Sequence, residues 1–136
     1  MTIAFTATRV VSAAPPVVWA TLTNWERGPE WLPEVESMSS EGPTAVGSVL
    51  RFTARGIQRT STVTAMDPGR SITLTSEQPG VEAHYRYTLE PEGSGTAIAL
   101  EADVVTSGAM RMLGPVIRSA IAKADSVQLD RLAALL

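Results

Sequence analysis

His84 is the chain's one histidine, and the sequence contains no cysteine. A multi-histidine metal centre and thiolate chemistry are therefore ruled out, and His84 is left as the sole base of the usual kind. No serine stands in a nucleophile-elbow context, so a nucleophilic triad is not expected and no catalytic residue is assigned. Strict alternation from Val81 to Leu89 puts Val81, Ala83, Tyr85, Tyr87 and Leu89 on one face of a strand and Glu82, His84, Arg86 and Thr88 on the other. His84 then belongs to the wet face as an ordinary surface histidine. Tyr85 and Tyr87 point inward, where their hydroxyls need protein partners, water or a ligand. Arg59 shares a parity with Ile57, Ser61 and Val63, so either it is an inward polar group or the strand carries a bulge near Gly56. A buried arginine is costly without an answering charge, which here means an anionic or carbonyl-bearing ligand or a buried carboxylate. The acids are scattered over outward positions and turns, and no pair of carboxylates converges on one site. Neither a metal nor a cofactor is expected.

These groups need elements to hold them, and the longest candidate is Ser107 to Leu136. Pro115 is tolerated only where a helix can spare an N–H, which divides the stretch into a short lead-in, Gly108 to Leu113, and a main helix from Gly114. Its twenty-two or so residues would make a rod of roughly 33 Å. Projection at helical pitch places Met110, Leu113, Ile117, Ala120, Ile121, Ala124, Gln128, Leu132 and Leu135 on one face, with Arg118, Lys123, Asp125 and Asp130 away from its centre. Two alanines at mid-face and Gln128 on the same stripe suit a helix that covers a space without filling it.

The rest of the chain supplies what is covered. Ile3 to Ser12 has the composition of a strand, and Ala13 to Leu22 that of a short helix with prolines in its first turn, burying Val18, Trp19 and Leu22. Gly28 to Pro33 forms a second helical turn, so that two short helices make a corner; Trp31 either lines the mouth of an interior space or anchors that corner. From Glu34 onward, turn signals at Glu41-Gly42-Pro43, Asp67-Pro68-Gly69, Gln78-Pro79-Gly80 and Glu92-Gly93-Ser94-Gly95 punctuate an antiparallel meander. Leu50 and Phe52 share one face, as do Ile72 and Leu74, and as do Ile98, Leu100, Ala102 and Val104. A sheet that is apolar on one side only must be covered there, and the C-terminal helix is its cover.

At 136 residues the chain is expected to be a single domain, residues 1–136, able to bury a core without staples. The net charge of −3 without a basic run argues against a nucleic-acid surface. Arg51, Arg55 and Arg59 are the densest basic stretch, with a spacing that would put them on one face of a strand. No apolar run approaches a membrane span, and no export signal precedes the first strand, so a soluble cytoplasmic protein is the expectation.

Ala14-Pro15-x-x-Val18-Trp19, Trp31-Leu32-Pro33, Gly47, Gly95-Thr96 and Leu129-x-x-Leu132-x-x-Leu135, in that order along nearly the whole chain, resemble the polyketide cyclase/dehydrase branch of the START-like (SRPBCC) superfamily. The resemblance implies an α+β helix-grip fold of order β-α-α-β6-α, a curved antiparallel sheet wrapped around a long C-terminal helix with a hydrophobic cavity between. No family catalytic residue maps onto a fixed motif in this sequence. The function expected is binding of a hydrophobic small molecule, lipid-like, aromatic or polyketide-like, against Trp31, Phe52, Arg59, Ser61, Tyr85, Tyr87, Met110, Ile117, Ala120, Ile121, Ala124 and Gln128. The alternatives are a cofactor-independent aromatase/cyclase-type enzyme, in which an arginine or tyrosine polarises a carbonyl, and an interaction module with a filled interior. In the last case, exposed Leu129 and Leu136 would serve a homodimer contact.

Overall fold

A computed structural model describes residues 2–136. Seven strands, β1 (Thr2–Val11), β2 (Val35–Ser40), β3 (Val49–Ala54), β4 (Ile57–Asp67), β5 (Ser71–Gln78), β6 (Val81–Glu92) and β7 (Gly95–Thr106), form one antiparallel sheet in the order β1-β7-β6-β5-β4-β3-β2. Six of them follow one another as a meander, because each connection from β2 to β7 is short enough to return the chain to its neighbour. β1 closes the other edge against β7. Between β1 and β2 lie α1 (Pro15–Leu22) and a 3-10 turn, Trp25–Glu30. After β7 come a second 3-10 turn, Gly108–Leu113, then α2 (Gly114–Asp125) and α3 (Gln128–Ala133). This is the helix-grip architecture, α+β. Among the described residues no helix is long and apolar enough to cross a membrane.

Period-two alternation is the physical cause of the one-sided core. In β7, Ile98, Leu100, Ala102 and Val104 are buried while their neighbours are half exposed; in β6, Ala83, Tyr87 and Leu89 are buried on the same face. From the helices, Val18 and Leu22 of α1 and Leu129 and Leu132 of α3 enter this core, and Trp25 and Trp31 are buried in the corner. Trp19 is only partly buried and packs at the core's edge. Leu129 is therefore no part of an exposed dimer contact, and Leu136 is partly buried against the core. Gly95 explains how β1 comes so near: a Cβ there would stand 2.1 Å from the Val11 carbonyl oxygen. Thr96 then secures the same corner by donating from its hydroxyl to the Ala13 carbonyl at 2.8 Å.

Three departures from the sequence expectations matter for the site. First, the C-terminal helix is not one rod. It breaks at Ser126 and Val127, whose ψ angles of −14° and −1° loosen the turn. Second, the second helical turn begins at Trp25 rather than Gly28 and leaves Trp31 at its C-terminal end. Third, the irregularity in β4 lies between Val63 and Ala65, not near Gly56. That bulge moves Ala65 to the surface and brings Met66 inward, so the alternation that buries Ser61 and Val63 does not run on to Ala65.

Candidate functional site

The sheet curls away from α2 on the β3–β6 side, leaving a hollow of about 390 Å³ between them. Its floor is built from alternate residues of four strands: Phe52 and Ala54 of β3, Arg59 and Ser61 of β4, Leu74 and Ser76 of β5, and Ala83, Tyr85 and Tyr87 of β6. Its roof is Ile117, Ile121 and Asp125, spaced four residues apart on α2, followed by Gln128 at the head of α3. Leu32 to Val35 complete one side. Glu34 belongs to that rim and is held at its carboxylate by Arg55 in the β3–β4 turn, 2.5 Å away, in an exposed pair.

Two tyrosines two residues apart in β6 tie this roof to this floor. The Tyr85 hydroxyl donates to Asp125 Oδ2 at 2.5 Å, and the Tyr87 hydroxyl donates to Gln128 Oε1 at 2.6 Å. Alternate residues of a strand are about 6.8 Å apart, whereas three residues of a regular α-helix rise only about 4.5 Å. The loosened turn at Ser126–Val127, closer to the 3-10 rise of about 2 Å per residue, brings the two spacings together. The helix break and the paired tyrosines are thus one feature.

The electrostatics follow from burial. The Tyr85 phenol is pushed well above its ordinary range by desolvation first and by the Asp125 charge second, and the fully buried Tyr87 phenol is raised for the same two reasons. Asp125 is itself raised above the usual carboxylate range, chiefly by burial, with the Tyr85 hydroxyl and Gln128 pulling it back and the Glu34 charge adding to the rise. The hollow therefore holds two phenols and a carboxyl that all favour keeping their protons. Arg59 and Ser61 bring a cation and a hydroxyl to the opposite wall.

Of the twelve residues singled out in the sequence, Phe52, Arg59, Ser61, Tyr85, Tyr87, Ile117, Ile121 and Gln128 line this hollow. Trp31 does not: it is wholly buried in the corner, with its ring edge-to-face on Tyr87 at 5.8 Å. Met110 lies against Gly80 at the end of the β5–β6 hairpin. Ala120 is exposed and Ala124 half buried outside the lining, because α2 is rolled so that Ile117, Ile121 and Asp125 face in. Asp125 is the residue that sequence reasoning missed. A projection of apolar positions sets an aspartate outside the buried face; only the presence of Tyr85 opposite it makes the inward position satisfiable. His84 lies on the outer face as expected, its Nδ1 2.9 Å from Thr75 Oγ1.

A curved antiparallel sheet and gripped helices with a hollow between them define a START-like fold. The chain belongs to the family described as polyketide cyclase / dehydrase and lipid transport, which it matches over residues 2–136. Among solved structures it is similar to the Zhui aromatase/cyclase from a Streptomyces species, R1128, at 19% identity and a TM-score of 0.76, covering 96% of this chain and 91% of that one. It is similar also to a protein from Thermus thermophilus, at 18% identity and a TM-score of 0.74 over 95% and 93% of the two chains. A START superfamily protein from Mycobacterium smegmatis aligns at 19% identity and a TM-score of 0.64, over 97% and 98%. No protein of curated function matches the sequence.

Proposed function

We propose that the protein binds an apolar small molecule, lipid-like, aromatic or polyketide-like, in the hollow between the sheet and the C-terminal helices. The observation that carries this reading is the hollow itself: about 390 Å³ beneath α2, walled mainly by apolar side chains and finished by a few convergent polar groups. Each 100 Å² of apolar ligand surface withdrawn from water there contributes about 2.5 kcal/mol. Arg59, Ser61, Tyr85, Tyr87 and Gln128 then orient the ligand. The hollow supports this reading over that of an interaction module with a filled interior.

Ile121→Trp tests the reading, since the larger ring would occupy the hollow from its roof. Wild type should take up one equivalent of a neutral aromatic probe such as 2-naphthol, and the variant should lose at least about tenfold in affinity while keeping its circular dichroism spectrum. Equal binding by the two proteins, or none by wild type, would sink the proposal.

A second reading, a cofactor-independent enzyme of the aromatase/cyclase type, is favoured by one observation: Asp125 and Tyr85 form a hydrogen-bonded pair inside an apolar space, where burial raises both groups above their ordinary ranges. A protonated carboxyl or phenol placed there can donate to a ligand carbonyl as negative charge develops on it. The similar Streptomyces protein bears the name aromatase/cyclase. A reactive polyketide mimic decides between the readings. Product formed by wild type and lost in Tyr85→Phe supports the enzyme, and binding without product at any pH leaves the carrier.

A further inference from the structure

The sheet is open along part of its length. β4 pairs with β3 from Ile57 to Thr62, and β5 pairs with β6 from Ser71 to Gln78. With each other, however, β4 and β5 pair only where Thr62–Asp67 meets Ser71–Thr75. Ile57–Ser61 and Ser76–Gln78 diverge from that point. The Ser61 hydroxyl marks the fork by donating to the Thr75 carbonyl at 3.3 Å, in place of a ladder bond. Beyond it, hydrogen-bond alternation fixes which backbone groups are left facing the gap. The two-residue turn Arg55-Gly56 makes Ala54 and Ile57 the closing pair of its hairpin, so the peptide groups of Gln58 and Thr60 point away from β3. The turn at Pro79-Gly80 directs those of Glu77 away from β6 in the same manner.

A cleft of about 890 Å³ occupies this divergence on the outer side. Met38, Phe52, Arg59, Ser76 and Gln78 line both the cleft and the interior hollow, so the two adjoin across the sheet at these side chains. An arginine stands on each side of the passage. Arg59 belongs to the inner face with Ser61, whereas Arg51 belongs to the outer face, because the hairpin pairs Arg51 with Thr60 and Phe52 with Arg59. The even spacing that suggested a common face for Arg51, Arg55 and Arg59 is broken by Arg55 lying in the turn. Among the described residues neither Arg51 nor Arg59 forms an ion pair, and Glu77 is the carboxylate that shares the cleft with them.

We propose that hollow and cleft are one site for a long-chain anionic amphiphile: the chain lies beneath α2 and the carboxylate or phosphate end passes between β4 and β5 to Arg59 and Arg51. The proposal rests on the reading of the hollow as an apolar ligand site. At the cleft end two guanidinium groups without ion-pair partners face one carboxylate, Glu77, and the parted strands offer N–H donors beside their own carbonyls; the excess of cations there is what an anionic head group requires, while Glu34 and Asp125 lie on the hollow side. The divergence gives the passage through a sheet that full pairing would close.

Titration of wild type, Arg59→Gln and Arg51→Gln with hexadecanoate, hexadecyl phosphate and hexadecanol tests it. Both anions should bind wild type about tenfold or more tightly than the alcohol, and each substitution should shrink that preference severalfold. Arg51 decides the matter, since it stands across the sheet from the hollow. Loss of anion preference in Arg59→Gln with none in Arg51→Gln overturns the threading, as does equal binding of anions and alcohol. The stronger of the two anions identifies the head group. Failure of all three probes to bind wild type would instead overturn the reading of the hollow, and this proposal with it.

Discussion

Trp31→Ala should lower the free energy of unfolding by about 3–5 kcal/mol, the range for removing a fully buried aromatic side chain. For a chain of this size that corresponds to a fall in Tm of roughly 10–20 °C. The loss goes beyond volume. The Trp31 ring meets Tyr87 edge-on at an interplanar angle of 83°, and Tyr87 in turn holds Gln128, so the vacancy opens beneath the hydrogen bond that docks α3. The indole N–H is buried without a hydrogen-bond partner among the described residues, which sets a cost against the ring in the native protein. Trp31→Phe removes that cost while keeping most of the packing, and should therefore lose much less than Trp31→Ala. Urea unfolding of the three proteins checks the pair of statements. A loss under about 1 kcal/mol in the alanine variant would contradict the corner packing described above.

The alternating strands were legible in the sequence because a sheet covered on one face imposes its period directly on residue type. Ile98, Leu100, Ala102 and Val104 could be placed on one face from their spacing alone, and so could Tyr85 and Tyr87. What escaped was whatever depends on a partner distant in the chain. Asp125 enters the hollow because a tyrosine forty residues earlier gives it a hydrogen bond. Ala120 and Ala124 fall outside the lining because that same bond fixes the roll of α2, and an apolar projection weighs alanine as buried and aspartate as exposed. The helix break at Ser126–Val127 was hidden for a related reason, since the local sequence continues an acceptable helical pattern and the break answers the spacing of residues in β6. Trp31 shows the limit of type-based reading from the other side. Its size suits a cavity mouth or a buried anchor equally, and the 3-10 turn that starts at Trp25 decides for the anchor.

Those distant bonds also join binding to stability. The roof of the hollow is attached to its floor through polar groups, so a ligand that offers its own acceptor to Tyr85 or Tyr87 competes with Asp125 or Gln128 for the hydroxyl. On the proposed reading, occupancy and the docking of α2 and α3 would be coupled at these two contacts. A ligand carbonyl accepted there would take up a hydrogen bond that the empty protein already makes, which favours ligands whose apolar burial is large.

Asp125→Asn should make the protein more stable than wild type at neutral pH and remove a pH dependence that wild type shows above about pH 4. The sign follows from where the proton is held. Burial raises the Asp125 carboxyl above the value of about 3.9 that an aspartate has in an unfolded chain, so the native state binds this proton more tightly than the unfolded state does. Its contribution to stability is complete below the unfolded value and is lost as pH rises through the raised native value. An asparagine has no proton to lose, yet its amide oxygen can still accept from Tyr85. The difference in urea midpoint between the two proteins should therefore be small near about pH 4 and grow in favour of the variant toward about pH 8. Taking the difference cancels the carboxylates common to both proteins, including Glu30, whose pairing with Arg27 gives the opposite trend. A variant less stable than wild type at about pH 8 would mean that the ionised carboxylate is well solvated or well paired where it sits. The same substitution separates the two functional readings. A carrier whose ligand is held by apolar burial should keep its affinity within a fewfold, whereas an enzyme relying on the Asp125 proton should lose about 10²- to 10⁴-fold in turnover.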